Sequence, residues 1–252
     1  MSKTALLLHG QPRFFKECYS SIYDNIIKPN NCDVFIHFWN NKDGNNEWSN
    51  VGPSYKKNTK DIEKNIDENI ENKLIKLYSP KKIISENQID FNNTDNEEHI
   101  TNEEQTFYKS NKITFFLFYS MYYSIYKVNE LKKKYENENN FKYNTVIKIR
   151  FDVQINKPFI IKNIDNSFYN EKNSKAITDR IFYSSSKTMD TIASLYKNVE
   201  IQKLNIINNV TYIWKNIKYL RNEALLEWWL HKNKINVKNG YINQNDYKIY
   251  GR

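Results

Sequence analysis

Apolar residues along the 252-residue chain fall into short runs separated by polar stretches, and the spacing within each run predicts its element. Residues 4–8 form an apolar run that ends in His9-Gly10-Gln11-Pro12-Arg13, a first strand closed by a Gly/Pro turn. Residues 15–27 carry Phe15, Tyr19, Ile22, Tyr23 and Ile26 at helical spacing, and Pro29-Asn30-Asn31 breaks the predicted helix. Residues 33–39, DVFIHFW, read as a second buried strand. A β–loop–α–β opening with a crossover of this length implies two parallel strands.

Residues 40–55 read as a loop, 59–78 as a helix and 82–85 as a short third strand. Residues 90–101 are acidic and Asn-rich without periodicity, a loop of the length that often serves as a lid. The strongest helical signal covers 103–136, where Phe107, Phe115, Phe118, Tyr119, Tyr122, Tyr123, Tyr126 and Leu131 make a broad apolar face. That aromatic stripe reads as core rather than as a stacking platform. After a linker at 138–142, residues 144–153 are the key strand. Residues 176–185 predict a strand or strand pair, 187–199 a helix, 222–232 a Trp- and Leu-rich helix, and 235–237 and 241–242 terminal strands. The alternation of strands and helices makes the chain α/β, with a mostly parallel central sheet flanked by helices.

No Pro/Gly/Ser-rich linker divides the sequence, so residues 1–252 are expected to form one domain. Abundant Tyr and Phe supply core area that Leu would otherwise provide. A formal charge of +9 suits a phosphorylated ligand, nucleic acid or an anionic membrane. The lysines are scattered, with only short clusters such as Lys132-Lys133-Lys134, which favours a solvated surface over a nucleic-acid footprint. Cys18 and Cys32 make neither a metal motif nor a disulfide framework and read as small core residues of a reducing compartment. The first apolar run is too short for a signal peptide, and no run has transmembrane length. The expected location is cytoplasmic, with a peripheral contact to a membrane surface left open.

Four clusters could carry chemistry. The turn Gly10–Gln11–Pro12–Arg13 can offer backbone N–H groups and a guanidinium fork to an anion, or be an ordinary turn. It lacks both the G-x-G-x-x-G fingerprint and the P-loop lysine. His37 lies in a buried run, where a lone histidine is more often a satisfied core residue than a ligand; it is counted with the nucleotide-side candidates. The segment IKIRFDVQI, 147–155, is the most informative stretch. Ligands of open α/β sheets gather beyond the carboxyl ends of buried parallel strands. Alternation puts Arg150 and Asp152 on one face of that strand. The pair suits a phosphate, a metal ion or a sugar hydroxyl, or else is a structural ion pair. Asp152 could ligate a divalent cation, or Arg150 could neutralise a diphosphate without one. Finally, Asp179 and Glu223 could each accept a proton from a substrate hydroxyl, although an acidic residue early in a helix is also simply stabilising. No G-x-S-x-G elbow, H-E-x-x-H pair or catalytic cysteine context is present.

HGQPR after strand one, CDVFIHFW, LYSPKKIISE, YSMYYSIYKVNELKKKYE before YNTVIKIRFDV, and TDRIFYSSSKTMDTIASLY follow one order. That order resembles a group of nucleotide-sugar glycosyltransferases of bacterial surface polysaccharide and viral glycan synthesis, over most of residues 4–199. The resemblance implies a GT-A-like, Rossmann-like fold, with residues 1–100 as the nucleotide-binding part and 101–252 as the donor-sugar and acceptor part. It implies transfer of a sugar from a nucleotide-sugar donor to a glycan or glycolipid acceptor. The family's Asp-x-Asp pair holds Mn²⁺ or Mg²⁺; here it reads Arg150-Phe151-Asp152, which leaves Asp152 as the one metal candidate. By the same likeness Gly10 to Arg13 line the nucleotide and Asp179 faces the sugars; Arg150 and Asp179 are catalytic candidates, and Glu223 joins them as a base on its own chemistry and not on the likeness. The alternative is a non-catalytic nucleotide-sugar or carbohydrate-binding protein of the same fold.

Overall fold

The computed structural model describes residues 3–40, 69–89, 91, 115–162, 164–174, 177–199 and 222–250. Strand β1 (Thr4–Gly10) leads into helix α1 (Phe15–Ile22), and β2 (Cys32–Trp39) returns beside β1 in parallel. Helix α2 (Ile70–Tyr78) precedes β3 (Lys82–Glu86), and the long helix α3 (Phe115–Glu138) crosses back to β4 (Thr145–Arg150). Then come β5 (Val153–Ile155), β6 (Phe168–Asn170), β7 (Ile181–Ser184), α4 (Ser186–Ala193) and α5 (Leu195–Val199). Helix α6 (Asn222–Lys232), β8 (Val237–Asn239) and β9 (Tyr247–Ile249) complete the order.

The main sheet has the order β3-β2-β1-β4-β7-β6-β8. Strands β3, β2, β1 and β4 are parallel, β7 runs antiparallel to β4, and β6 antiparallel to β7. The chain moves outward from β1 through β2 to β3, then returns to place β4 on the other side of β1. The β1/β4 boundary is therefore the topological switch point of the sheet, where the carboxyl ends of two parallel strands open a crevice.

Strict alternation gives the sheet two apolar faces. Leu6, Leu8, Val34, Ile36, Phe38, Ile147 and Ile149 pack against Phe15, Cys18 and Ile22 of α1 and Leu74 and Tyr78 of α2. Ala5, Leu7, Phe35, Trp39 and Val146 pack against Tyr119, Tyr122, Ile125 and Val128 of α3, with the Trp-rich α6 in the same cluster. The aromatic stripe of α3 is core over the part described.

Several elements differ from the sequence pattern. The predicted strand over 144–153 stops at Arg150; residues 151–152 turn, and β5 leaves the main sheet to pair antiparallel with β9. Arg150 and Asp152 are thus not neighbours on one strand face: Arg150 ends β4 and Asp152 lies in the turn that follows. Helix α1 does not break at Pro29. A π-helical turn over Tyr23–Ile27 loosens the helix, so Pro29 fits into a last short turn, Lys28–Asn30. The stop is Asn31, in the left-handed region at φ 46°, where asparagine is tolerated. Lys132 is fully buried rather than part of a solvated lysine cluster, bonded to Ser186 Oγ at 2.5 Å and Asp190 Oδ1 at 2.8 Å. Tyr241 and Ile242 are not in a strand; the terminal strand is β9. The predicted loops at 41–55 and 92–101 and the amino-terminal portion of each of the helices predicted at 59–78 and 103–136 lie outside the described residues. Among the described residues no helix is long and apolar enough to cross a membrane.

Candidate functional site

The parallel register pairs His9 of β1 with Arg150 of β4, so the ends of the two strands lie side by side. Just beyond them, Gly10 turns at φ +92°, a conformation that an L side chain adopts only with strain, although a Cβ there would meet nothing within 4 Å. The turn continues through Gln11, whose carbonyl accepts from Arg13 N–H at 2.8 Å, and brings Arg13 over the end of β4.

Arg13, Arg150 and Asp152, read from sequence segments 139 residues apart, meet here. Arg150 forks onto the Asp152 carboxylate, with Nε donating to Oδ1 at 2.9 Å and Nη2 to Oδ2 at 2.5 Å. Arg13 Nη2 reaches the same Oδ2 at 3.4 Å. The layering is informative: the side chains of Arg13 and Arg150 are 22% and 18% exposed, and that of Asp152 is 5% exposed. The two cations face outward and the carboxylate lies beneath them. Tyr250 N–H, next to β9, donates to the Asp152 carbonyl at 2.8 Å and so fixes the turn from below.

A metal ion at this place would need accessible oxygen ligands. Asp152 offers both oxygens to guanidinium groups instead, and Arg150 stands where a first carboxylate would be. Among the described residues no group of three or more His, Cys, Asp or Glu side chains is gathered to hold an ion. The described residues at this place do not fit a divalent cation.

Behind the strand ends a second cluster lies on the α3 face of the sheet. Alternation along β1, β2 and β4 sends His9, His37, Lys148 and Arg150 to this side. His37 is fully buried with both ring nitrogens engaged: Nδ1 lies 2.6 Å from Ser124 Oγ and Nε2 2.9 Å from Glu86 Oε2. Ser124 Oγ also accepts the Gly10 N–H at 2.8 Å, so its own proton goes to His37 Nδ1. Nε2 then carries the ring proton and donates it to Glu86. Burial pushes the His37 imidazole down to about 4, against the pull of Glu86, so the ring is neutral at neutral pH. Glu86 is in turn held by Lys127 Nζ at 3.0 Å and Tyr123 Oη at 3.2 Å. His37 thus faces the interior and supports the β1 turn through Ser124.

Lys148 is the residue that the sequence reading missed, and His9 was read only as part of the turn after strand one. His9 is buried, and neither ring nitrogen has a hydrogen-bond partner among the described residues. Burial, and then the positive charges of Lys148 and its neighbours, hold the imidazole well below its ordinary value. Lys148 is fully buried; its ammonium donates to the Asp179 backbone carbonyl and lies 5.1 Å from the Phe182 ring centroid. Burial brings it from 10.5 down to about 7, with Asp179 opposing that fall and Arg150 adding to it. Asp152 and Glu223 also act on Lys148. Asp179 and Glu223 share a second neighbour, Tyr122, whose phenol burial and these carboxylates raise well above its ordinary value. The two carboxylates are therefore brought to one region, around Lys148 and Tyr122. Glu223 lies in the first turn of α6, whose first residue, Asn222, accepts the Tyr122 hydroxyl at 2.5 Å through its carbonyl. A period-2 reading of VIKIR could have flagged Lys148, since it shares a face with Arg150 in an otherwise apolar strand.

No protein-family model and no curated protein sequence matches the chain. Among solved structures, it is similar to the apo form of the glycosyltransferase GlyE of Streptococcus pneumoniae TIGR4, at a TM-score of 0.43 and 8% identity over 95% of this chain. The chain spans 45% of the length of that chain. At that level of likeness the function has to be argued from the site itself.

Proposed function

We propose that the chain is a nucleotide-sugar-dependent glycosyltransferase acting on a hydroxyl of a glycan or glycolipid acceptor. The observation that carries this reading is the outward-facing Arg13–Arg150 pair, braced by Asp152, at the switch point between β1 and β4. Anionic ligands of open α/β sheets bind at such crevices, and a guanidinium fork matches phosphate oxygens. In this reading the donor diphosphate lies on Arg13 and Arg150, along the Gly10–Gln11 turn. As the glycosidic bond breaks, negative charge grows on the leaving diphosphate. A preorganised donor aimed at developing charge is worth roughly 10²–10³ in rate. Lys148, behind Arg150, adds positive potential when protonated. Asp179 or Glu223, on the same side of the sheet, takes the proton of the acceptor hydroxyl in an inverting transfer.

The test is release of free sugar from UDP-, GDP- and CMP-sugars, followed with and without candidate acceptors. One donor is expected to be hydrolysed slowly, and Asp179→Asn or Glu223→Gln to lower its transfer by at least tenfold. Absence of both binding and release for every donor refutes the reading. One observation favours a second reading, a nucleotide-sugar-binding protein of the same fold: Asp152 is held by two guanidinium groups instead of facing a reacting centre. Binding without release of sugar identifies it.

A further inference from the structure

We propose that this site takes the diphosphate of its nucleotide ligand without a divalent cation, the guanidinium groups of Arg13 and Arg150 supplying the charge that an ion would otherwise supply. The inference rests on the reading of the crevice as a nucleotide-sugar site.

Two observations support it independently of that reading's chemistry. The first is the order of the layers: Asp152, at 5% exposure, lies under Arg150 and Arg13 at 18% and 22%, so a ligand entering the crevice meets cations first. A metal site of the usual kind presents carboxylates to the ion and the ion to the phosphates. The second is occupancy of the carboxylate: both Asp152 oxygens accept from Arg150, at 2.9 Å and 2.5 Å, and Oδ2 from Arg13 as well. An ion bound to the remaining lone pair of Oδ1 would sit against a bidentate guanidinium and beside two positive charges. Asp152 is then a positioning residue: it holds two mobile, rotamer-rich side chains in one geometry before the ligand arrives, which lowers the entropy lost on binding.

The experiment is thermal denaturation of the full chain with UDP, GDP and CDP, each in EDTA, in Mn²⁺ and in Mg²⁺. A ligand that prefers the native state raises the melting temperature. The expected result is a rise with one nucleoside diphosphate that is the same in EDTA as in either metal. A rise seen only with metal overturns the inference while leaving the nucleotide reading standing. No rise under any condition overturns both. Arg13→Gln and Arg150→Gln provide the second arm. Each is expected to weaken affinity for that nucleotide roughly tenfold or more, the loss of a charge-assisted hydrogen bond, and added Mn²⁺ is expected to restore neither. Recovery of affinity with Mn²⁺ in either variant would also overturn the inference.

Discussion

Lys148→Met is the substitution that examines the buried charge most directly. Lys148 is fully buried in β4, and its one hydrogen bond among the described residues goes to the Asp179 carbonyl. An unfolded lysine titrates near 10.5, and in the folded protein burial brings Lys148 to about 7. Below about pH 7 the ammonium is protonated in both states, so the fold carries the full penalty of the buried charge. Between pH 7 and 10.5 the unfolded chain binds more protons than the native one, so native stability rises with pH through that window. At 1.36 kcal/mol per pKa unit the penalty at low pH is about 5 kcal/mol. Methionine has similar volume and no charge, and its substitution removes one hydrogen bond, a loss of about 1 kcal/mol.

The variant is therefore expected to be more stable than the wild type by about 4 kcal/mol near pH 6.5. The difference is expected to shrink by about 1.4 kcal/mol per pH unit through the window and to change sign at about pH 10. Urea denaturation of both proteins across this range measures it, since groups unaffected by the substitution cancel in the difference. A variant no more stable than wild type at the acid end, or a difference that does not vary with pH, would show that the ammonium is not held in a low-dielectric site. The same variant is expected to transfer sugar more slowly than the wild type, because residues kept at a cost to stability tend to serve function.

Ser124→Ala removes the hydroxyl that joins Gly10 N–H to His37, leaving two buried polar groups unpaired; a loss of about 1–3 kcal/mol in denaturant titrations is expected, together with weaker nucleotide binding. Lys132→Met leaves Glu136 buried with Lys142 as its remaining cation at 3.0 Å, so destabilisation of about 3 kcal/mol, the low end for a broken buried ion pair, should appear in the same assay. Gly240→Ala places a Cβ 2.3 Å from the Asn170 carbonyl oxygen that accepts the Gly240 N–H, which forces the backbone apart and should cost about 1–3 kcal/mol, read as a lower melting temperature.

The first three strands, β4 up to Arg150 and helix α6 were legible in the sequence because each has a local signature. Apolar runs bounded by Gly, Pro or Asn mark the strands, and α6 matches its predicted bounds of 222–232. The parallel order of β1 and β2 followed from the length of their crossover, and with it the expectation of a crevice at the strand ends. What was not legible depends on partners far along the chain. Strands β5, β6, β8 and β9 have three residues each, too few for a period to show, and their pairing is with segments distant in sequence. The break after Arg150 has no Gly or Pro to announce it; it exists because Val153–Ile155 pairs with Tyr247–Ile249. Ser124 is one small polar residue among aromatics at helical spacing, and nothing local distinguishes a core serine from one that closes a hydrogen-bond chain. His9 was read as part of a turn, whereas β1 runs through to Gly10 and carries its ring into the interior.

The distribution of polar groups within the sheet has its own logic. Over Ala5–Leu8, Val34–Ile36 and Val146–Ile147 both faces are filled with aliphatic and aromatic side chains. Toward the carboxyl ends, and on the α3 face alone, the same alternation delivers His9, His37, Lys148 and Arg150, with Glu86 ending β3 and Ser124 facing them from α3. Burying so many polar groups at one end of a sheet works against stability unless each is paired. Most of them are paired: Glu86, His37, Ser124 and Gly10 N–H form one continuous chain from the partly exposed Lys127 to the β1 turn. The chain ties β1, β2, β3 and α3 together at the point where Gly10 takes up its left-handed conformation. The turn that carries Arg13 therefore starts from a backbone amide fixed by a rigid network rather than from a free loop. Asp152 is fixed by a second contact, its carbonyl accepting from Tyr250 N–H beside β9, beneath the two guanidinium groups. Two guanidinium groups anchored from two such frameworks are set before a ligand arrives, and a rigid pair of this kind is what stabilising charge on a leaving diphosphate requires.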